Sequence, residues 1–412
     1  MNCRHCGKPL KYQFLDLKSA PPSNAYLSKA TLQQKELSFP LRLFVCSHCW
    51  LVQTEGYLCS QELFTADYAY FSSTSAGWTQ HAAAYCTMIV DRLGLNQDSF
   101  VIEIAANDGY LLKNFLTLNV PCLGIEPTES TAREAEKKGI EVVRKFFDHK
   151  YAQELVEEGR QADLIIGNNV YAHVPDINDF TSGLKAALKP KGTITLEFPH
   201  LLNLIRLNQF DTVYHEHYSY LSLHTVESLF ASAGLVVYDL EQLPTHGGSL
   251  RVYGGHADEG LSVSDHVIEV LKDEKEAGML SLPLYLAFQS QADRVEVDLL
   301  DFLLTQKAEG KQVAAYGAAA KGNTLLNYAG VTTDLVSFIC DAAPSKQGKY
   351  MPGSHIPILP PEAIRSERPD YVLILPWNIK EEIMQKNEFI KEWGGRFVTA
   401  IPDLKVYGSD DR

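Results

Sequence analysis

Two Cys-x-x-Cys pairs, Cys3/Cys6 and Cys46/Cys49, constrain this chain more than any other feature. Four thiolates delivered from two tight turns match the tetrahedral preference of zinc, and Gly7 frees the backbone just after the first pair. With every ligand position filled by sulfur, the ion has no open position for a substrate. It is expected to be structural and remote from any chemistry, with His5 and His48 as bystanders. The rest of the chain is not the tail of a nucleic-acid finger. Its 412 residues carry 37 basic against 51 acidic side chains, a net charge of -14, and that balance disfavours phosphate backbones. No segment has the form of a signal peptide or reaches the roughly 18 apolar residues of a membrane span, so a cytoplasmic protein is expected. Cys59, Cys86, Cys122 and Cys340 show no pairing logic and read as reduced, buried residues.

Beyond the cysteines the pattern becomes α/β. Helical spacing from about Trp78 to Leu93, stopped by Gly94, precedes strand candidates at Phe100–Ala105, Val120–Ile125, Leu164–Gly167, Thr193–Phe198, Leu235–Leu240 and Leu250–Gly254. A mainly helical stretch follows from Asp258 to Gly310. A second alternating unit has strands near Val313–Gly317, Leu335–Cys340, Tyr371–Leu375 and Arg396–Ile401. The chain therefore divides into a zinc-binding module (1–65), a Rossmann-like domain (66–256), a helical connector (257–309) and a C-terminal Rossmann-like domain (310–412).

In the first Rossmann-like unit, Glu103, Ala105, Asn107, Asp108 and Gly109 form a strand-turn-helix entry of the kind that brings backbone amides to a nucleotide. Ala105 and Ala106 stand where a nicotinamide fingerprint would have glycine, and the Glu-x-x-x-Asn-Asp-Gly form looks instead like the S-adenosylmethionine loop of class I methyltransferases. Glu126, ending the next strand, can accept both hydroxyls of a ribose. Asn168, Asn169, Tyr171 and His173 follow a buried strand and should sit at the ligand-binding edge. Tyr214, His215, Glu216, His217 and Tyr218 crowd titratable side chains and phenols into one run. Acid–base chemistry leads there, because imidazole titrates near neutrality, with a second metal or a structural cluster as alternatives. His246, Gly247, Gly248 and Arg251 would connect and open the last strand of the first sheet. In the C-terminal unit, Gly317 to Asn323 includes Lys321 and suits a phosphate at a helix N-terminus. Asp341 stands where a ribose contact is common, and Lys346, Gln347 and Lys349 lie on the following loop.

Taken in order, these motifs resemble those of the zinc-containing C-methyltransferases that branch C-3 of nucleotide-linked 4-keto-deoxysugars. The matching stretches also include Asp67-Tyr68 to Ser72 and run over nearly the whole chain; the main departure is Ala105, where relatives often carry glycine. The resemblance implies S-adenosylmethionine as cofactor, held by Glu103, Ala105, Asn107, Asp108, Gly109, Glu126, Asn168 and Asn169. It implies His217 as base, with Tyr214, Glu216, His173 and Tyr68 as further catalytic residues. A nucleoside-diphosphate 4-keto-deoxysugar would be held by His246, Arg251, Lys321, Asn323, Asp341 and Lys346. Residue types alone leave His215 a rival to His217. They also leave open methylation of oxygen or nitrogen in another metabolite, and a non-catalytic zinc-anchored nucleotide-binding protein. The nucleobase, the stereochemistry and the oligomeric state are not legible, and a monomer is compatible with everything above.

Overall fold

The computed structural model describes residues 1–56, 71–74 and 76–408; Cys59 and Tyr68 lie outside them. Three sheets are formed. The first is antiparallel and joins β1 (Tyr12–Ala20), β2 (Phe39–Val45), β3 (Val52–Thr54) and, far along the chain, β9 (Ser219–Tyr220), in the order β1-β2-β3-β9. The sequence reading did not anticipate these strands. The apolar alternation Phe39-Pro-Leu-Arg-Leu-Phe-Val45 carries the period-2 signal for β2, with Leu41, Leu43 and Val45 buried.

The second sheet contains β4 (Val101–Ile104), β5 (Cys122–Ile125), β6 (Glu141–Val143), β7 (Ala162–Asn168), β8 (Leu188–Pro199), β10 (Leu235–Leu243) and β11 (Ser249–His256). Its order is β10-β11-β8-β7-β4-β5-β6, with only β11 antiparallel to its neighbours. The chain winds outward from β4 to β6 and then crosses back to β7. This makes the carboxyl ends of β4 and β7 a switch point, where such sheets bind ligands. The third sheet adds β12 (Val313–Tyr316), β13 (Ile339–Cys340), β14 (Ile358–Leu359), β15 (Tyr371–Ile374), β16 (Arg396–Thr399) and β17 (Lys405–Tyr407), in the order β14-β13-β12-β15-β16-β17. Its own switch point lies between β12 and β15. Helices over Asp265–Glu276, Leu282–Leu286 and Phe288–Ala308 connect the two, as the pattern predicted.

Cores run across these units rather than stopping at them. One buried cluster takes Phe14, Leu43, Phe210, Phe288, Leu299 and Leu326 from the first sheet, the short turn at Phe210–Thr212, the connector and the third unit. Another packs Cys3, Cys46 and Cys49 against Leu223 and Leu229 of the second unit. Cys86, Cys122 and Cys340 are buried free thiols, as expected.

Cys3, Cys6, Cys46 and Cys49 bring their Sγ atoms within 4.8 Å of one another, with Cys3–Cys49 and Cys6–Cys46 at 3.5 Å. A tetrahedral zinc with Zn–S of about 2.3 Å sets sulfurs about 3.8 Å apart, so the cluster fits that ion closely. The site is less isolated than the spacing suggested. Gln53 donates to Cys3 Sγ at 3.3 Å, accepts from the Arg4 amide at 2.9 Å, and lies on β3, which pairs directly with β9 just after His217. Replacing Cys3 and Cys46 by Ser should remove zinc and lower the melting temperature together. Metal analysis and thermal unfolding check this; a metal-free protein with an unchanged melting temperature would refute the structural role.

Candidate active site

A cavity of about 1100 Å³ opens between the three sheets. The second sheet's switch point contributes Asn107, Glu126, Asn168, Asn169 and His173, while the third unit contributes Lys321, Lys346 and Asn378. Tyr214, Glu216, His217 and His246 lie along the wall between them, and the N-terminal module adds Arg4, Asn24 and Tyr26.

The segment from Phe210 to Tyr218 is not extended, so the two-faced alternation of a strand does not apply. A short 3-10 turn at Phe210–Thr212 and a tight turn closed by His217 N–H to Tyr214 O at 3.0 Å regroup its side chains. The Tyr214 and His217 rings come to 4.1 Å between centroids, and the His173 ring reaches 4.5 Å from that of His217. His215 turns away, with Nε2 3.2 Å from the Phe39 carbonyl oxygen, and does not line the cavity. Three elements hold the segment. Tyr218 N–H donates to Ala172 O at 2.8 Å, Thr54 Oγ1 donates to His217 O at 3.1 Å, and Thr324 Oγ1 donates to Val213 O at 2.7 Å.

Burial decides the protonation of the histidines. His217 is held well below the ordinary imidazole range, first by burial and then by neighbouring His173 and His246. Burial also brings His173 down to about 4, although a hydrogen bond to the Glu216 backbone opposes it. His246 comes down to about 4 through burial and then the charge of Lys321. All three are therefore neutral near pH 7. At His173, Nδ1 lies 2.9 Å from Glu216 O; a carbonyl can only accept, so Nδ1 carries the proton and Nε2 keeps a lone pair.

At the opposite end, the β4 turn has two non-glycine residues in the left-handed region, Ala105 at φ 58° and Asn107 at φ 50°. Alanine thus adopts a left-handed conformation that ordinarily favours glycine. Glu126 ties this turn down, accepting from Asn107 N–H and Thr128 N–H at 2.9 Å each. Each carboxylate oxygen keeps a further acceptor site. Asn168 and Asn169 line the cavity with buried amide oxygens that have no partner among the described residues, a fit for a ligand rich in donors such as an ammonium group.

Several residues expected at ligands line no part of the cavity. Glu103 is buried in β4 with Oε2 unpartnered, its pKa pushed well up by burial and then by Glu126 and Asp108. It sits one strand residue too early, beneath the turn. Asp108 faces Lys138, and Gly109 at φ 71° packs so closely that a Cβ would meet Ile140 Cδ1 at 2.3 Å. Asn323 faces the core at 1% exposure, and Asp341 caps its own turn through Ala343 N–H at 2.8 Å. Lys321 does line the cavity, with Nζ 2.8 Å from Asn378 Oδ1 and over the Trp377 ring at 4.6 Å. Residues the sequence reading missed include Asn24, Trp78, Tyr110 and Asn378. Only the Pro21-Pro22-Ser23-Asn24 loop signal could have drawn attention to the first.

Arg251 is a brace. It pairs across the sheet with Glu197, with Nη2 3.0 Å from Oε2, and its Nη1 is 2.6 Å from Glu241. Glu197 in turn accepts from Thr245 Oγ1 at 2.9 Å and, through its backbone oxygen, from Asn169 N–H at 2.7 Å. The loops bearing Asn169 and His246 are thereby fixed to one buried ion pair. Arg251→Ala leaves Glu197 buried without its cation and should cost about 3 kcal/mol of stability, measured by urea unfolding.

Three family models cover the chain in sequence: a putative zinc binding domain over residues 3–64, a methyltransferase domain over 78–240 and a C-methyltransferase C-terminal domain over 244–402. C-methyltransferase NovU of Streptomyces niveus is 33% identical over 408 residues, covering 99% of this chain and 97% of that protein. Among solved structures, magnesium protoporphyrin IX methyltransferase from Synechocystis is 15% identical and covers 43% of this chain and 79% of its own, with a TM-score of 0.34. A methyltransferase from Clostridium acetobutylicum is 11% identical, covering 43% and 92%, with a TM-score of 0.35. No helix among the described residues is long and apolar enough to cross a membrane. Full-length identity to NovU, together with family models that follow one another along the chain, makes this protein a member of the zinc-containing, S-adenosylmethionine-dependent C-methyltransferase family.

Proposed function

We propose that the protein methylates C-3 of a nucleoside-diphosphate 4-keto-deoxysugar, with His217 as the base. The observation that carries this reading is the meeting of neutral His217 with Tyr214 and His173 in one cavity that is also lined by Asn107 and Glu126 of the first Rossmann-like unit and by Lys321 of the second. Carbon becomes a nucleophile only as an enolate, and a sugar C–H is acidic enough only beside a ketone. A base next to that proton and a donor at the ketone oxygen are the minimum requirement.

The Thr212 backbone opposes the fall in the His217 pKa, but burial outweighs it and leaves the ring neutral and able to take a proton. His217 takes the C-3 proton while the C–H electron pair moves into the C-3–C-4 bond and charge collects on the C-4 oxygen. The Tyr214 hydroxyl is the donor suited to that oxygen, worth about 3 kcal/mol of barrier. His173, with Nε2 an acceptor, suits a sugar hydroxyl. S-adenosylmethionine supplies an electrophilic methyl group on a sulfonium. With the cofactor bound, C-3 would take that methyl group in exchange for the neutral thioether, the C-4 ketone would re-form and His217 would pass its proton to solvent. Glu126 and the Asn168 and Asn169 oxygens hold the cofactor's ribose and ammonium. Lys321 and Lys346 attract the diphosphate. Because burial depresses its pKa, His217 stays in its base form at pH values where an exposed imidazole would be protonated.

Mass spectrometry of products from thymidine- and guanosine-diphosphate-linked 4-keto-deoxysugars should show a gain of one methyl on carbon. In deuterated water, His217→Asn should abolish C-3 hydrogen exchange and lower turnover by about 10²–10⁴, while His215→Asn retains exchange. The opposite pattern would move the base to His215. Glu126→Ala should weaken S-adenosylmethionine binding by about 2 kcal/mol in a calorimetric titration, with the melting temperature recorded alongside. Unchanged affinity would move the cofactor away from this sheet edge.

A further inference from the structure

The N-terminal module reaches the active site through a segment outside its zinc knuckles. After β1 ends at Ala20, the chain turns at Pro22, whose carbonyl accepts from Ala25 N–H at 3.0 Å. It then runs between the catalytic segment and the third unit. Leu27 and Tyr350 exchange backbone hydrogen bonds at 3.0 and 2.8 Å, and Tyr26 Oη donates to Ala318 O at 2.6 Å, three residues before Lys321. Asn24 lies inside this bracket. Its Nδ2 donates to both oxygens of Glu216, at 2.8 and 3.1 Å.

Glu216 is only 3% exposed, and a carboxylate that far from water needs donors aimed at it. Its neighbour His217 is in van der Waals contact range of Tyr214 and His173, so a rotation of Glu216 would be felt by the base and by the carbonyl that accepts from His173. Asn24 supplies the fixed donor without adding charge. The Leu27–Tyr350 pairing and the Tyr26–Ala318 bond keep its backbone from following the side chain.

We infer that Asn24 is a positioning residue for methyl transfer: the amide holds the Glu216 carboxylate in place, so that the N-terminal module completes the sugar end of the active site. This rests on the proposed methylation with His217 as base and on the resemblance's placing of Glu216 among the catalytic residues beside it.

The test is a double-mutant cycle with Glu216→Gln and two Asn24 variants: Asn24→Asp, which preserves shape but replaces the donor with a second carboxylate facing Glu216, and Asn24→Ser, which shortens the side chain without adding charge. Turnover of the 4-keto-deoxysugar is measured in the full-length zinc-loaded protein, with S-adenosylmethionine affinity by calorimetry and the melting temperature checked in each variant. Asn24→Asp should lower kcat about tenfold or more, with cofactor affinity unchanged. In the Glu216→Gln background the same substitution should lower kcat less than about twofold. Asn24→Ser, read in the same cycle, covers the case in which Asn24→Asp does not fold. If the two losses multiply, or if Asn24→Asp and Asn24→Ser turn over at the wild-type rate, Asn24 does not act through Glu216 and the inference falls alone. If Glu216→Gln is fully active, the role of Glu216 falls as well. If the wild type methylates none of the sugars, the functional reading fails and takes this inference with it.

Discussion

The backbone hydrogen bonds around residues 213–218 are the interaction on which the site depends. This segment has no regular structure to stiffen it, yet it carries His217. Ala172 holds it from the second sheet, Thr54 from the first and Thr324 from the third unit. A buried segment must satisfy its amides and carbonyls, and here it does so by borrowing partners from every unit of the molecule. The three units therefore cannot shift relative to one another without moving His217.

The zinc module becomes intelligible in that light. Cys3, Gln53 and β3 form a continuous path to β9, which begins two residues after His217. The ion supplies no chemistry to the substrate, because four sulfurs fill its coordination. Its contribution is mechanical, stiffening a short sheet whose last strand belongs to the catalytic region. Arg251 and Glu197 do comparable work on the other wall, where one buried ion pair pins the loops of Asn169 and His246.

Electrostatically the cavity is graded. Three neutral histidines occupy its centre, while Lys321 stands at the end formed by the third unit, its own pKa lowered by burial. Neutral imidazoles leave ring nitrogens able to accept a proton in the cavity. The cavity thus presents uncharged rings and a buried cation from different units of the molecule.

Much of this architecture was legible before any coordinates. Most strands of the two Rossmann-like sheets follow from apolar runs closed by turn residues, although β6, β14 and β17, of two or three residues each, are too short to show a period and were not anticipated; the four-cysteine cluster follows from spacing, because both are local patterns with a definite period or a definite chelate geometry. The motif bearing His217 could be recognised, but nothing in Tyr214-His-Glu-His217 says which imidazole faces the cavity. A tight turn and the Phe39 carbonyl decide that. Glu103, Asn323 and Arg251 sit in the right motifs yet point into the core, since a residue's depth depends on which elements cover it. Asn24 carries no local signal of its partner, 192 positions away. The sequence by itself determined most elements of the two Rossmann-like units, the metal ligands and the inventory of reactive groups, but not the strands of the first sheet. Which of those groups meet was decided by the tertiary structure alone, because hydrogen bonding and burial act through space between segments that the chain keeps far apart.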